Sequence, residues 1–514
     1  MPFVAKMTDA GGMKALLRYN DMNATLVEPQ LLFDYLVVAG GGGGGLSAPG
    51  GGAAGGLRST VTATGGGGSL EAPLSLDLNT SYTVTVGAGG ALSVGAGRGA
   101  SGSNSVFSTI TSTGGGGGAS TSGVAAINGG GGAESGGNST GGTGITNQNF
   151  KGGNGNGGGG GAGAVGFNGY GAGVNLASSG GIGGAGIATS ITGSTVTYAS
   201  GGSAYYAAPA PTRSPNPTTG GGGGASVNNG VSNTGGGGAA DFGNGGSGIV
   251  IVRYPGIVQK AYGGTVNTSS GNTVHTFNSS STFYTGVTVP VAGYSLWLDA
   301  TDAATFTYSS GTVVSQWNDK SGNGRNFAQA TVANQPTRNT NIQNGYAGVI
   351  GTANDVLSTS YNWVNSAFTV FLVVKPSSTS GFMGWMGSHT TTGCPALGTA
   401  NSTGEYSLFR TGVSTNPSNL VATLSNADVA VWKSSGVSGG TVSSTIYKNG
   451  TQSSTNPGYS SSGTGTIATL FASSTGLDDP CTGYLFEVIV YPSQLSDTDR
   501  NKVEGYLRAK WGTP

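Results

Sequence analysis

The apolar residues of this chain change pattern along its length. Tyr35-Leu-Val-Val-Ala39 is a short, continuous apolar run, and Ile249-Val-Ile-Val-Arg-Tyr254 is a second, far along the chain. Runs this short and this rich in Val and Ile predict buried β-strands. Between them hydrophobic periodicity almost vanishes. Only short β-like phrases remain, such as Val61-Thr-Ala63, Ser81-Tyr-Thr-Val-Thr-Val86 and Ser190-Ile-Thr-Gly-Ser-Thr-Val-Thr-Tyr198. Two strands framing such an insert predict that they pair and bring its ends together, which a flexible tether would not need. Past Pro255, Gly263–Phe277 reads as two strands around Ser-Gly-Asn, followed by Ser281–Tyr284.

From Tyr294 onward, alternation of apolar and polar positions returns. It predicts strands at Ser295–Asp299, Val313–Trp317, Phe368–Lys375, Tyr406–Phe409, Val429–Lys433, Ser444–Lys448, Thr466–Phe471 and Leu485–Tyr491. Asn449-Gly450, directly after one of them, is the favoured pair for a tight hairpin. Repeated short strands with polar turns indicate an antiparallel two-sheet sandwich. One helix closes it, with Ser496 as N-cap, Asp497 and Asp499 in its first turn and Arg508 and Lys510 in its last. Val503, Tyr506, Leu507 and Trp511 supply its buried face.

Composition changes the picture of the framed insert. The chain holds 104 glycines, and those of the insert come in runs at 40–45, 65–68, 114–118, 129–132, 157–161, 220–224 and 235–238. Disorder is one outcome, since ordering backbone costs roughly 1–2 kcal/mol per residue and glycine lies at the costly end. The other is an array of left-handed, three-residue-per-turn polyproline-II-type helices, packed closely because no Cβ intervenes. A run of five would span on the order of 16 Å in that form. The strand frame favours the ordered array. The predicted fold is therefore mostly β: a glycine-rich polyproline-II-type helical/β domain, then an antiparallel β-sandwich with one C-terminal helix. Its divisions are 1–32, with a short amphipathic helix over Met13–Met22 capped by Asp9; the glycine-rich unit 33–255; a small β connector 256–293; and the sandwich 294–514.

Charge narrows the partners. Lys+Arg and Asp+Glu are 20 each, and 8% of residues are charged. There is no basic stripe for nucleic acid and no apolar stretch of the ~20 residues that a membrane helix needs. Nothing after Met1 reads as a signal peptide, although the uncharged, Ser/Thr/Asn-rich composition suits work outside cells. Cys394 and Cys481 are either a disulfide or two buried thiols.

Candidate chemistry is sparse. Glu405, Glu487 and Glu504 are isolated in sequence, so paired-carboxylate hydrolysis is not expected. For carbohydrate recognition, an aromatic platform beside amide or carboxylate groups is needed. Phe382-Met-Gly-Trp-Met386 with His389, and Tyr361-Asn-Trp363, offer Trp385, His389 and Trp363; Asp478 and Asp479 before Pro480 form a further polar loop. Asn318-Asp-Lys-Ser-Gly-Asn-Gly324 could present Asp319 and Asn323 to calcium, the one candidate cofactor, or could be a turn whose carboxylate accepts backbone amides.

Two resemblances give these elements a context. Tyr35–Gly45 and Gly246–Pro255, with Tyr82-Thr-Val-Thr-Val-Gly-Ala-Gly-Gly90, Ser190–Tyr198 and Thr273-Val-His-Thr-Phe277, resemble the glycine-rich domain of bacteriophage tail-fibre and adhesin proteins. Leu296-Trp-Leu-Asp-Ala300, Val314–Arg325, Gln335-Pro336, Ile446-Tyr-Lys-Asn-Gly450, Phe486–Tyr491 and the last helix resemble concanavalin-A-like (laminin-G-like) jelly rolls. These resemblances imply a non-enzymatic virion protein: a tail fibre or adhesin binding host-surface carbohydrate through its lectin-like domain. The alternative is a head fibre or capsid decoration protein. They also imply attachment to other virion proteins through residues 1–32, homo-oligomerisation as a trimer and a location in the virus particle.

Overall fold

The structure is a computed structural model describing residues 31–46, 50–94, 97–120, 128, 140–169, 180–206, 212–213, 221–224, 228–364, 367–379, 381–388, 395–399, 403–410, 418–438, 441–454, 458–460 and 467–514. The expected helix over Met13–Met22, His389 and Cys394 lie outside these residues.

The framing strands pair as their sequences suggest. Leu31–Val38 runs antiparallel to Ile249–Pro255, from Asp34 opposite Arg253 to Val38 opposite Ile249. The Arg253 guanidinium closes the pair by binding the Asp34 carboxylate at 2.7 Å. Val61-Thr-Ala63 is not a strand, because the Ser59 hydroxyl accepts from the amides of Val61 and Thr62 and bends the chain instead.

Immediately beyond the frame, the glycine run builds the packed array. The amides of Gly40 and Gly43 donate to Ser103 and Ala100, those of Gly41 and Gly44 to Gly246 and Gly243, and those of Gly42 and Gly45 to Ala53 and Gly50. Its carbonyls accept from Gly115 and Gly118, from Gly90 and Ser93, and from Gly238 and Asp241. Each partner segment recurs at every third residue, the signature of a three-fold helix. This one helix therefore has six neighbours, donating to three antiparallel segments and accepting from three parallel ones. It also explains the composition. A Cβ on Gly42 would lie 2.5 Å from the Gly116 carbonyl carbon and 2.9 Å from the Gly115 carbonyl oxygen, a clash of backbone with backbone.

The stretch 256–293 differs from the expected separate connector. Asn272–Phe277 pairs with Ile249–Pro255, and Ser281–Thr285 pairs with Ser81–Thr85. Its strands thus complete the sheets of the glycine-rich unit, because Phe277, Phe283 and Tyr254 share one buried cluster with Phe33 and Phe107.

The C-terminal unit is the expected antiparallel sandwich. Gly483–Tyr491 lies between Phe368–Pro376 on one side and Leu296–Asp299 with Tyr346–Gly351 on the other. Asp428–Ser434 and Thr445–Lys448 extend that layer, and Asn449 and Gly450 turn the chain with φ of 48° and 85°. The closing helix spans Asp497–Trp511, begins where the Ser496 hydroxyl accepts from the Asp499 amide, and ends at left-handed Gly512. It also joins the two units. Tyr506 packs edge-on against Tyr262 and Tyr284 at 5.7 and 5.4 Å, and Gly505 leaves room for Ser81.

Candidate functional site

The site grows from a carboxylate-organised loop. Asp319 accepts from the amides of Trp297, Ser321 and Arg325 at 3.1, 2.8 and 3.1 Å, and from the Ser321 hydroxyl at 2.7 Å. Four donors occupy its oxygens, and Gly322 and Gly324, both at positive φ, let the loop close around them. A cation here would have to displace these donors. Among the described residues, no three His, Cys, Asp or Glu side chains gather as metal ligands.

The closed loop directs Asn323 and Arg325 towards the start of the sandwich. The Asn323 side-chain amide donates to the Ser295 carbonyl at 3.1 Å, and an Arg325 guanidinium nitrogen donates to the same oxygen. The guanidinium lies over the Tyr361 ring, 4.0 Å from its centre. The Ser295 hydroxyl donates to the Val490 carbonyl at 3.0 Å, which leaves the Tyr361 hydroxyl to donate to it at 2.6 Å. Burial raises the Tyr361 pKa. Tyr294, Pro492 and Asn362 complete a cleft of about 380 Å³ above Tyr361 and Trp363. That volume is at the lower end for small-molecule sites.

The cleft unites residues that the sequence placed in different candidate sites. Trp363, from the aromatic platform, and Asn323, from the calcium loop, line the same space. Trp363 is 2% exposed and its indole N–H donates to the Gly387 carbonyl at 2.9 Å, so it forms the floor. Trp385 is fully buried in the sandwich core and presents no face to a ligand. Asp478 and Asp479 lie elsewhere, bound by the hydroxyls of Ser474 and Ser473 at 2.7 and 2.9 Å. Arg325, Tyr294 and Pro492 were not singled out from the sequence; for Arg325 the signal was a cation directly after the Gly-Asn-Gly turn.

Glu487 is not isolated in the fold. It stands opposite Asp299 on the neighbouring strand, and the Lys510 ammonium bridges the two at 2.9 Å each. Tyr506, Trp297 and Trp511 also donate to Glu487. Burial raises Glu487, and at Lys510 the two carboxylates outweigh burial and hold the ammonium charged. The carboxylates are 0% and 4% exposed, so this paired-carboxylate arrangement anchors the helix beneath the surface. A cavity of about 640 Å³ beside Arg58 and Glu71 is larger than the cleft, but its two charges bind each other, and the Tyr35 hydroxyl donates to Glu71. Another, of about 660 Å³, lies between Gln259 and Tyr346 and has no charged lining residue. The cleft at Ser295 alone among these three joins aromatic walls to a cation that has no carboxylate partner among the described residues.

Comparison with known proteins gives the glycine-rich half a family likeness. A family model described as "Glycine-rich domain" matches residues 20–255. No curated protein matches the chain. Solved structures that match include a Trypanosoma rangeli sialidase with the inhibitor DANA, at 13% identity and a TM-score of 0.30, covering 43% of this chain and 34% of that one. An arabinofuranosidase complexed with arabinofuranosyl-alpha-1,2-xylobiose matches at 15% and 0.29, covering 39% and 51%. Domain 4 of an extracellular arabinanase from Geobacillus stearothermophilus, in complex with arabinotriose, matches at 14% and 0.25, covering 41% and 98%. The chain thus spans about a third to a half of the sialidase and arabinofuranosidase chains.

These matches come from carbohydrate-active glycosidases and not from virion proteins. The expected tail fibre or adhesin, its head-fibre or capsid-decoration alternative, and the expectation of a non-enzymatic chain therefore do not stand. Likenesses this distant assign no reaction. Among the described residues, no helix is long and apolar enough to cross a membrane.

Proposed function

We propose that this chain is a carbohydrate-directed protein whose C-terminal sandwich holds a saccharide in the cleft at Ser295. The observation that carries this reading is the lining: the ring of Tyr294 and the apolar face of Pro492 stand beside the polar groups of Asn323, Arg325 and Asn362. A sugar ring presents the same combination, with C–H faces for an aromatic or proline wall and hydroxyls at its edge for amides and a guanidinium. The glycine-rich array, coupled to the sandwich through the closing helix, supports the cleft on a rigid base.

Titration of the full chain with a panel of oligosaccharides tests the reading. At least one should bind saturably, and Tyr294→Ala should weaken it roughly tenfold, on the scale of a lost aromatic wall. Reducing-end release, followed in the same samples, reports whether the bound saccharide is cleaved. Saturable binding that Tyr294→Ala leaves unchanged would place the sugar elsewhere and defeat the proposal.

A further inference from the structure

Among the described residues, the Arg325 guanidinium is the one charged group that lines the cleft. The Ser321 hydroxyl has one proton and gives it to Asp319 at 2.7 Å, so the single carbonyl of Ser295 accepts from the Asn323 side-chain amide at 3.1 Å and from Arg325. A carbonyl oxygen has two lone pairs, so these two donors fill it. The guanidinium has further N–H groups in a fixed fork, and among the described residues no carboxylate forms an ion pair with it. The acid closest to it in the loop, Asp319, has its oxygens occupied by four donors. The neighbouring Lys320 is held by Asp299 and Asp302 at 3.2 and 3.0 Å. The cleft therefore carries a positive charge that no carboxylate among the described residues pairs, beside a carbonyl that is already filled.

We infer that the cleft selects acidic saccharides, with the Arg325 guanidinium gripping a sugar carboxylate while Tyr294 flanks its ring. A carboxylate supplies what the site lacks, two acceptor oxygens and a negative charge, in the geometry that a guanidinium fork matches. A neutral sugar hydroxyl also offers acceptor lone pairs but no charge, so it meets the guanidinium through a weaker bond. Tyr361, lying under the guanidinium, holds the fork in place. This inference rests on the cleft being a saccharide site.

The experiment compares acidic oligosaccharides (oligogalacturonate, oligoalginate and hyaluronan fragments) with the same oligomers reduced at their carboxyl groups, each titrated into the full chain. At least one acidic oligomer should bind roughly tenfold to a hundredfold more tightly than its reduced twin, the range of one charge-assisted pair. Arg325→Gln, which keeps a donor for the Ser295 carbonyl, should erase that difference by weakening the acidic oligomer at least tenfold more than its reduced twin. Sodium chloride should weaken only the acidic oligomer, a readout that needs no variant. Equal binding of both twins, unaffected by Arg325→Gln but weakened by Tyr294→Ala, would overturn acid selection and leave the saccharide cleft standing. Absence of binding by every oligomer of both series would overturn both.

Discussion

Replacing Gly42 with alanine puts the packed helical array to its sharpest test. In an ordinary, unstrained backbone position glycine to alanine stabilises a protein by about 0.4–1 kcal/mol, because the unfolded chain loses freedom. Here the sign should reverse. The added Cβ would meet the Gly116 carbonyl carbon at 2.5 Å, whereas carbon atoms in contact lie about 3.5–4.0 Å apart. The facing segment must therefore retreat by about 1 Å. That segment is held by the Ala53 amide on the Gly116 carbonyl at 2.9 Å, and Gly42 itself donates to Ala53 at 2.9 Å. Loss of two such bonds at about 1 kcal/mol each, with overpacking of about 1–3 kcal/mol, predicts a destabilisation of about 3–5 kcal/mol. Hydrogen exchange of the amides at 40–45, read by mass spectrometry, reports it directly. If these amides exchange through opening of the array, they should exchange on the order of 10²–10⁴ times faster in the variant. Unchanged or slower exchange would refute the six-neighbour packing.

Other perturbations probe the rest of the molecule. Lys510→Met leaves Glu487 buried without its cation and Asp299 with Lys320 alone, and should cost about 3–5 kcal/mol in urea unfolding, followed by the fluorescence of Trp297 and Trp511 beside the cluster; a cost below about 1 kcal/mol would mean that Glu487 is protonated. His275 is fully buried, with Nδ1 at 2.8 Å from the Gly263 carbonyl, and burial lowers its pKa to about 4. Its contribution should be complete above about pH 6.5 and fall by about 1.4 kcal/mol per pH unit down to about pH 4, about 3 kcal/mol in all. His275→Leu should flatten that part of the stability–pH curve, and an unchanged slope would assign it to other groups. Asp319→Ala removes the acceptor for four donors and should cost about 2–4 kcal/mol while abolishing saccharide binding at the cleft. With those donors in place, a chelator should leave the melting temperature of the unaltered chain unchanged; a calcium-dependent rise would show that the loop opens to a cation.

Local rules determined much of this protein. Ser496 and Gly512 mark the ends of the closing helix because capping depends on adjacent residues, and Asn449-Gly450 turns because those residues tolerate positive φ. The apolar runs at 35–39 and 249–254 identified the frame strands, and the glycine runs between them identified a helix that admits no Cβ. What only the tertiary structure decided depends on register between distant strands. Glu487 looks solitary until strand pairing sets it opposite Asp299 and the helix brings Lys510 between them. Trp385 and Trp363 look equally available as platforms, yet the curl of the sheets buries one completely and makes the other a cleft floor. The cleft joins the turn at 318–325, the segment 361–363, Tyr294 and Pro492. Its guanidinium, set beside the filled Ser295 carbonyl and over the Tyr361 ring, gains those neighbours only once the separated pieces meet, because charge balance belongs to a place in space and not to a position in the chain.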